Sequence, residues 1–331
     1  MARALDVIRP HPHRGDIIAA GAVPFTLAIV IVDLRFAGAW SAGVRFVIVA
    51  AAAALVGTMA WTAPLEGFAP RAYQTVLYVT GLVLLQAATL RLAVILGAAD
   101  SGLPGAGTLA WAEAALAAAA VVVAARRNSS AATLIAAVAG GAAALAFVQW
   151  AFDPATADPQ RWVLAGLLVA YGAGVVALRD RRRRHAVQLV SAAALATLAL
   201  VLSFAGSGLA LGAALIGAGL GPAGWGWELL VLLVGFGLVA YAGADDERGP
   251  AYLGAAVLAG FVLLAAPAGR GGPSLIGWPL VLAAMGIAGF VIGLRPRRPL
   301  PPEPDAGDGP GPAPVVPGPA PAPDALRGDG A

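Results

Sequence analysis

The chain has 331 residues, 60% of them hydrophobic and only 12% charged, and its mean hydropathy is +0.82. Soluble domains carry about 25% charged and about 45–50% apolar residues, so an ordinary soluble fold is excluded: these few charges would not cover its surface. The absence of cysteine removes disulfides, thiolate metal sites, iron–sulfur clusters and cysteine nucleophiles. All 21 basic residues are arginine and the net charge is +3. In a soluble protein that balance would suggest nucleic acid. Here the arginines gather at the ends of apolar runs, so the lipid bilayer is the expected partner and nucleic acid is not.

Residues 1–15 read as a short basic cytoplasmic arm. Ten apolar runs follow, at 17–36, 44–62, 74–97, 108–125, 131–151, 162–178, 186–205, 227–243, 251–267 and 275–294. Each meets or approaches the ~20 residues that a membrane-crossing helix needs. Barrel strands would be shorter and would alternate with period 2, and only helices or closed barrels satisfy their backbone in lipid. The fold class is therefore all-α: a polytopic transmembrane bundle of about ten spans occupying 16–294. Ala37-Gly38-Ala39 has the small side chains of a signal-peptidase site, but Asp33 and Arg35 between it and the apolar run argue against cleavage. Residues 295–331 are rich in Pro, Gly and Asp and cannot bury a core. They are expected to be disordered and, as a whole, to be the segment through which a protein partner would act; the PxxP form at Pro314–Pro317 carries no signal in so Pro-rich a tail.

Orientation follows from the arginines. With a cytoplasmic N-terminus, fifteen fall on inside segments and four (Arg35, Arg45, Arg161 and Arg270) on outside ones, leaving Arg91 within a span and Arg327 in the tail. The run Arg179 to His185 is the strongest anchor. Both termini are thus expected in the cytoplasm of a cell that carries the protein in its plasma or inner membrane. Segment 206–226, apolar but uncharged, reads as an extracytoplasmic loop or re-entrant piece. Trp40, Trp225 and Trp227 suit an outer aromatic belt. Residues 72–85 line up with 251–264, but a shift of six spans fits no five-plus-five duplication and is attributed to composition.

Few residues offer chemistry. His11, His13 and His185 lie outside the apolar runs, so no Ser–His pair or intramembrane zinc motif is available. There is no phosphate-binding Gly-rich loop, and no cofactor or metal site is expected. Ionisable residues within spans are costly and point to function or to pairing. Arg91 and Glu113 lie on consecutive spans at similar depth, so an Arg91–Glu113 ion pair is expected. Glu228 is expected at the outer interface. Asp33 has the position of a first-loop catalytic acid, but the loop of about ten residues is short for an active site. Gln86, Gln149 and Gln188 are expected to bond between helices. The Gly-x-x-x-Gly pairs at Gly208, Gly217 and Gly289 carry no signal in a chain with 43 glycines. The number of spans resembles that of drug/metabolite transporters, but no residue motif carries the likeness, and span count alone is analogy. Three functions are compatible with these features: a transporter-like protein for a small molecule or lipid, a non-catalytic scaffold acting through partners, and a membrane-embedded lipid or glycan enzyme.

Overall fold

The computed structural model describes residues 10, 15–36, 38–64, 67–98, 104–205, 223–245, 248–265 and 287. These form nine helices: α1 Gly15–Arg35, α2 Ala42–Thr62, α3 Ala72–Ile95, α4 Ala106–Arg127, α5 Ser130–Phe152, α6 Asp158–Leu178, α7 Arg183–Ala205, α8 Trp225–Asp245 and α9 Arg248–Ala265. No strand occurs among the described residues. Eight of the nine are long and apolar enough to cross a membrane, and α9 contributes a shorter apolar stretch, Gly249–Val262. The molecule is a polytopic helical bundle, and the first nine of the ten expected runs are these helices. The tenth run apart from Ile287, the tail, the basic arm apart from Pro10 and Gly15 (so His11 and His13 too), the three Gly-x-x-x-Gly pairs and most of 206–226 lie outside the described residues. The nine helices fall in one unit, which ends at Leu275; a second unit, Ile276–Ala331, contributes only Ile287 to the description.

Local sequence explains where the helices start and stop. Ser41 and Ser129 accept hydrogen bonds from the backbone N–H of Val44 and Ala132, each at 3.4 Å, capping α2 and α5. At the start of α3 the Gln74 side chain turns back to accept from the Arg71 N–H at 3.0 Å. Asn128 (φ 53°) and Asp153 (φ 38°) end α4 and α5 in the left-handed region, which short polar side chains tolerate best after glycine. Ala and Leu dominate between these caps, and both are strong helix formers.

The short connections make successive helices antiparallel, giving the bundle a near end, where α1 begins, and a far end, where it finishes. The one long connection joins α7 to α8. Trp227, in the first turn of α8, packs edge-on against Trp162 at 5.1 Å and lies 6.2 Å from Phe204 at the end of α7. Thus α7 ends and α8 begins at the same far end, as expected if 206–226 makes no net crossing.

Packing repeats at an offset of four helices. α3 packs against α1, α2, α4 and α5, and α7 packs in the same way against α5, α6, α8 and α9. The α4–α5 and α8–α9 hairpins are the closest pairs in their halves. Arg45 is the fourth residue of α2 and Arg161 the fourth of α6, and each is 7% exposed. An even offset leaves each helix pointing the same way as its counterpart, the arrangement of parallel rather than inverted repeats. The sequence alignment of spans three and nine does not correspond to it.

Candidate functional site

The far end of the first half carries a buried charged cluster. Asp33, near the end of α1, is 6% exposed. One carboxylate oxygen accepts from Arg45 Nε of α2 at 2.9 Å, and the other from Arg91 of α3, at 2.8 Å to Nε and 2.7 Å to the terminal nitrogen. Three helices are thereby joined by one carboxylate between two guanidinium groups. The Arg45 side chain is 7% exposed, whereas that of Arg91 is 20% exposed.

Arg91 therefore pairs with Asp33, not with Glu113 as expected. Depth alone does not determine direction. On an α-helix each residue is turned about 100° from the last, so Arg91 faces α1 while Gln86, five residues earlier, faces α4. There the Gln86 side-chain amide donates to Glu113 at 2.6 Å. Asp33 also departs from the position of a free catalytic acid, since both its oxygens are taken by guanidinium donors.

In the second half, Arg161 donates to the Ser203 hydroxyl at 3.2 Å, to the Ser203 carbonyl at 3.1 Å and to Asp158 at 2.8 Å. Its guanidinium lies over the Phe204 ring, 3.7 Å from the centroid, a cation–π contact. The side-chain amides of Gln149 and Gln160 meet at 2.6 Å between α5 and α6. Gln188 makes no side-chain hydrogen bond among the described residues. Glu228 is 5% exposed in the first turn of α8, more deeply placed than the hydrated interfacial position expected for it. Six tryptophans, Trp40, Trp111, Trp150, Trp162, Trp225 and Trp227, lie at this end, a fuller aromatic belt than the sequence suggested.

Polar residues at the near end bond to one another and to backbone carbonyls. His185, in the first turn of α7, is 5% exposed. It contacts the Thr133 hydroxyl at 2.5 Å through Nδ1 and the Asn128 side-chain oxygen at 2.8 Å through Nε2. Asn128 donates in turn to the Phe68 carbonyl at 2.6 Å. Arg127 donates to the Trp61 carbonyl and lies over the Trp61 ring at 4.5 Å. Arg45 and Arg161 enter the sequence reading only as topology markers, and His185 as a topology marker and as a histidine without a partner for catalysis. Their signal was position, since each lies in the first turn of a helix whose following residues are apolar.

Between these two polar ends runs a lateral groove of about 520 Å³. It follows α2 from Phe46 to Trp61 and α3 from Leu77 to Leu92, with Ala119 and Val123 of α4 along its side. Fifteen residues of helix correspond to about 22 Å, most of the ~30 Å hydrocarbon thickness. Small residues form it: Gly57 and Gly81 meet toward its near end, where a Cβ on Gly81 would lie 3.7 Å from the Gly57 Cα. Tyr78 lines the groove, and its hydroxyl has no hydrogen-bond partner among the described residues. Two further grooves at the far end, about 730 Å³ beside Trp111 and Trp150 and about 690 Å³ beside Trp162 and Trp225, belong to the aromatic belt. Asp33, Arg91, Glu113, Gln149 and Glu228 line none of these three grooves.

Eight long apolar helices, with their charges drawn to the two ends, define a multi-pass integral membrane protein. Comparison with family models, with curated proteins and with solved structures finds no match.

Proposed function

We propose that the protein is a transporter-like, lipid-handling membrane protein rather than an enzyme, and that its near end faces the cytoplasm of a plasma or inner membrane. The observation that carries this reading is the α2–α3–α4 groove, which is apolar along its length and about as long as an extended acyl chain of 16–18 carbons, on the order of 20 Å. A solute of ordinary polarity would need converging polar groups, and the groove offers only the Tyr78 and Thr89 hydroxyls and the Trp61 indole N–H among its aliphatic and phenylalanine neighbours. The hydroxyl of Thr89 is already used, donating to the Leu85 carbonyl at 2.8 Å. The arginine asymmetry supports the orientation.

The test is photocrosslinking in proteoliposomes with a phospholipid that carries a diazirine along its acyl chain. Adducts are expected to concentrate at groove positions such as Ala54 and Gly57. Substitution Gly57→Trp, which fills the groove, should lower the yield there several-fold. Equal labelling at the exposed positions Val176 and Val262, which line none of the three grooves, would reduce the groove to ordinary annular lipid and favour a scaffold that acts through its partners.

A further inference from the structure

We infer that the groove selects a phospholipid with an anionic headgroup, read at the far end by Arg91, with the sealed Arg45 adding charge behind it; this rests on the lipid-handling reading above. The groove's last lining residues at that end are Phe46 on α2 and Leu92 on α3. Each is the immediate chain neighbour of one of the two arginines. A lipid lying in the groove with its tail toward Trp61 brings its phosphate to the level of the cluster.

The cluster has charge to spare. Two guanidinium groups share the single carboxylate of Asp33, leaving a local excess of one positive charge where water is scarce and ionic interactions are strong. Glu113, the other carboxylate described at this end of the first half, is held by Gln86, and Gln86 lies about 7 Å further in along α3 than Arg91. Arg45 is sealed in, but Arg91 keeps 20% of its side chain accessible. With Nε and one terminal nitrogen committed to Asp33, part of its five-donor fork remains for a phosphate. A zwitterionic headgroup would bring its ammonium into the same excess of positive charge. Discrimination therefore follows from the second charge of the headgroup, not from the phosphate alone.

The experiment compares two acyl-diazirine probes, phosphatidylglycerol and phosphatidylcholine, in proteoliposomes of the full-length protein. Adducts are quantified at the groove by mass spectrometry at low and high salt. Phosphatidylglycerol is expected to label the groove several-fold more than phosphatidylcholine at low salt, with the ratio falling as salt is raised. Arg91→Gln should bring the ratio close to one while groove labelling by both probes persists, and Arg91→Lys should retain much of the preference. Equal labelling by the two probes in the unsubstituted protein would overturn the headgroup inference, as would a preference that Arg91→Gln leaves unchanged in a folded protein. Either result leaves the lipid-handling reading in place. Absence of groove labelling by both probes would instead remove the groove as a lipid site altogether.

Discussion

At the scale of single residues, the Asp33 cluster is where charge and stability are most tightly joined. Taking one partner out of a buried ion pair strands the other, which costs about 3–5 kcal/mol, whereas replacing the whole set by apolar residues is often close to neutral. Asp33→Leu leaves two guanidinium groups, one of them sealed from water, so it should destabilise the protein by about that 3–5 kcal/mol. Arg91→Leu should cost less, because Arg45 still holds the carboxylate. Leucine at Asp33, Arg45 and Arg91 together should recover most of the loss. Thermal unfolding in detergent measures all three. A double-mutant cycle between Arg91 and Glu113 should give a coupling below about 0.5 kcal/mol, the scatter of independent sites. A larger coupling would mean that the two groups interact despite their separate partners. The sequence revealed that Arg91 and Glu113 needed partners, because an ionisable group within a span cannot stay bare. It did not reveal which partners. Asp33 is 58 positions before Arg91, on a helix whose contact with α3 nothing in the local pattern encodes.

At the scale of elements, helix boundaries were the most legible feature. Arg126-Arg127-Asn128, Asp153-Pro154 and the Arg179–His185 run each mark a real helix end, since a bilayer tolerates charge and broken backbone only at its edges. The glycines were less legible. With so many of them, spacing alone cannot separate a contact from a background residue, yet the structure separates them clearly. A Cβ at Gly254 of α9 would lie 3.0 Å from the Gly235 carbonyl oxygen and 2.9 Å from Val239 on α8, while Gly57 on α2 has nothing within 4 Å. Close helix approach in lipid depends on van der Waals packing between small residues. Gly254→Val should therefore push α8 and α9 apart and lower stability by about 1–3 kcal/mol, the usual cost of overpacking. Gly57→Ala should be neutral or slightly stabilising, since Ala is the better helix former by about 1 kcal/mol. Unfolding midpoints of the two variants check both; equal effects would mean that the α8–α9 contact is not tight.

For the whole molecule, the repeat at an offset of four helices was hidden from the sequence. Similar packing in a bilayer asks only for small and aliphatic residues at the contacts, and Ala, Gly, Leu and Val meet that demand with no shared pattern; Arg45 and Arg161 are the one visible trace. The proposed sidedness of the bundle, by contrast, rests on the placement of its arginines. Nine described helices alternate in direction, and α8 begins where α7 ends, so α9 must finish at the far end. If the far end is extracytoplasmic, as the arginines imply, the apolar run at 275–294 has to cross once more for the tail to lie in the cytoplasm. The native chain has no cysteine, so single cysteines can report this without background. A membrane-impermeant maleimide applied to intact cells should label Gly38→Cys and Thr156→Cys, in the far-end α1–α2 and α5–α6 connections. It should label Asp180→Cys, between α6 and α7 at the near end, only after permeabilisation. A cysteine at Ala331 should behave like the one at Asp180. Labelling of Ala331→Cys in intact cells, with the other three as expected, would mean that 275–294 does not span and that the chain crosses nine times. Reversal of all four would mean that the whole bundle is inverted, and the headgroup facing Arg91 would then come from the inner leaflet.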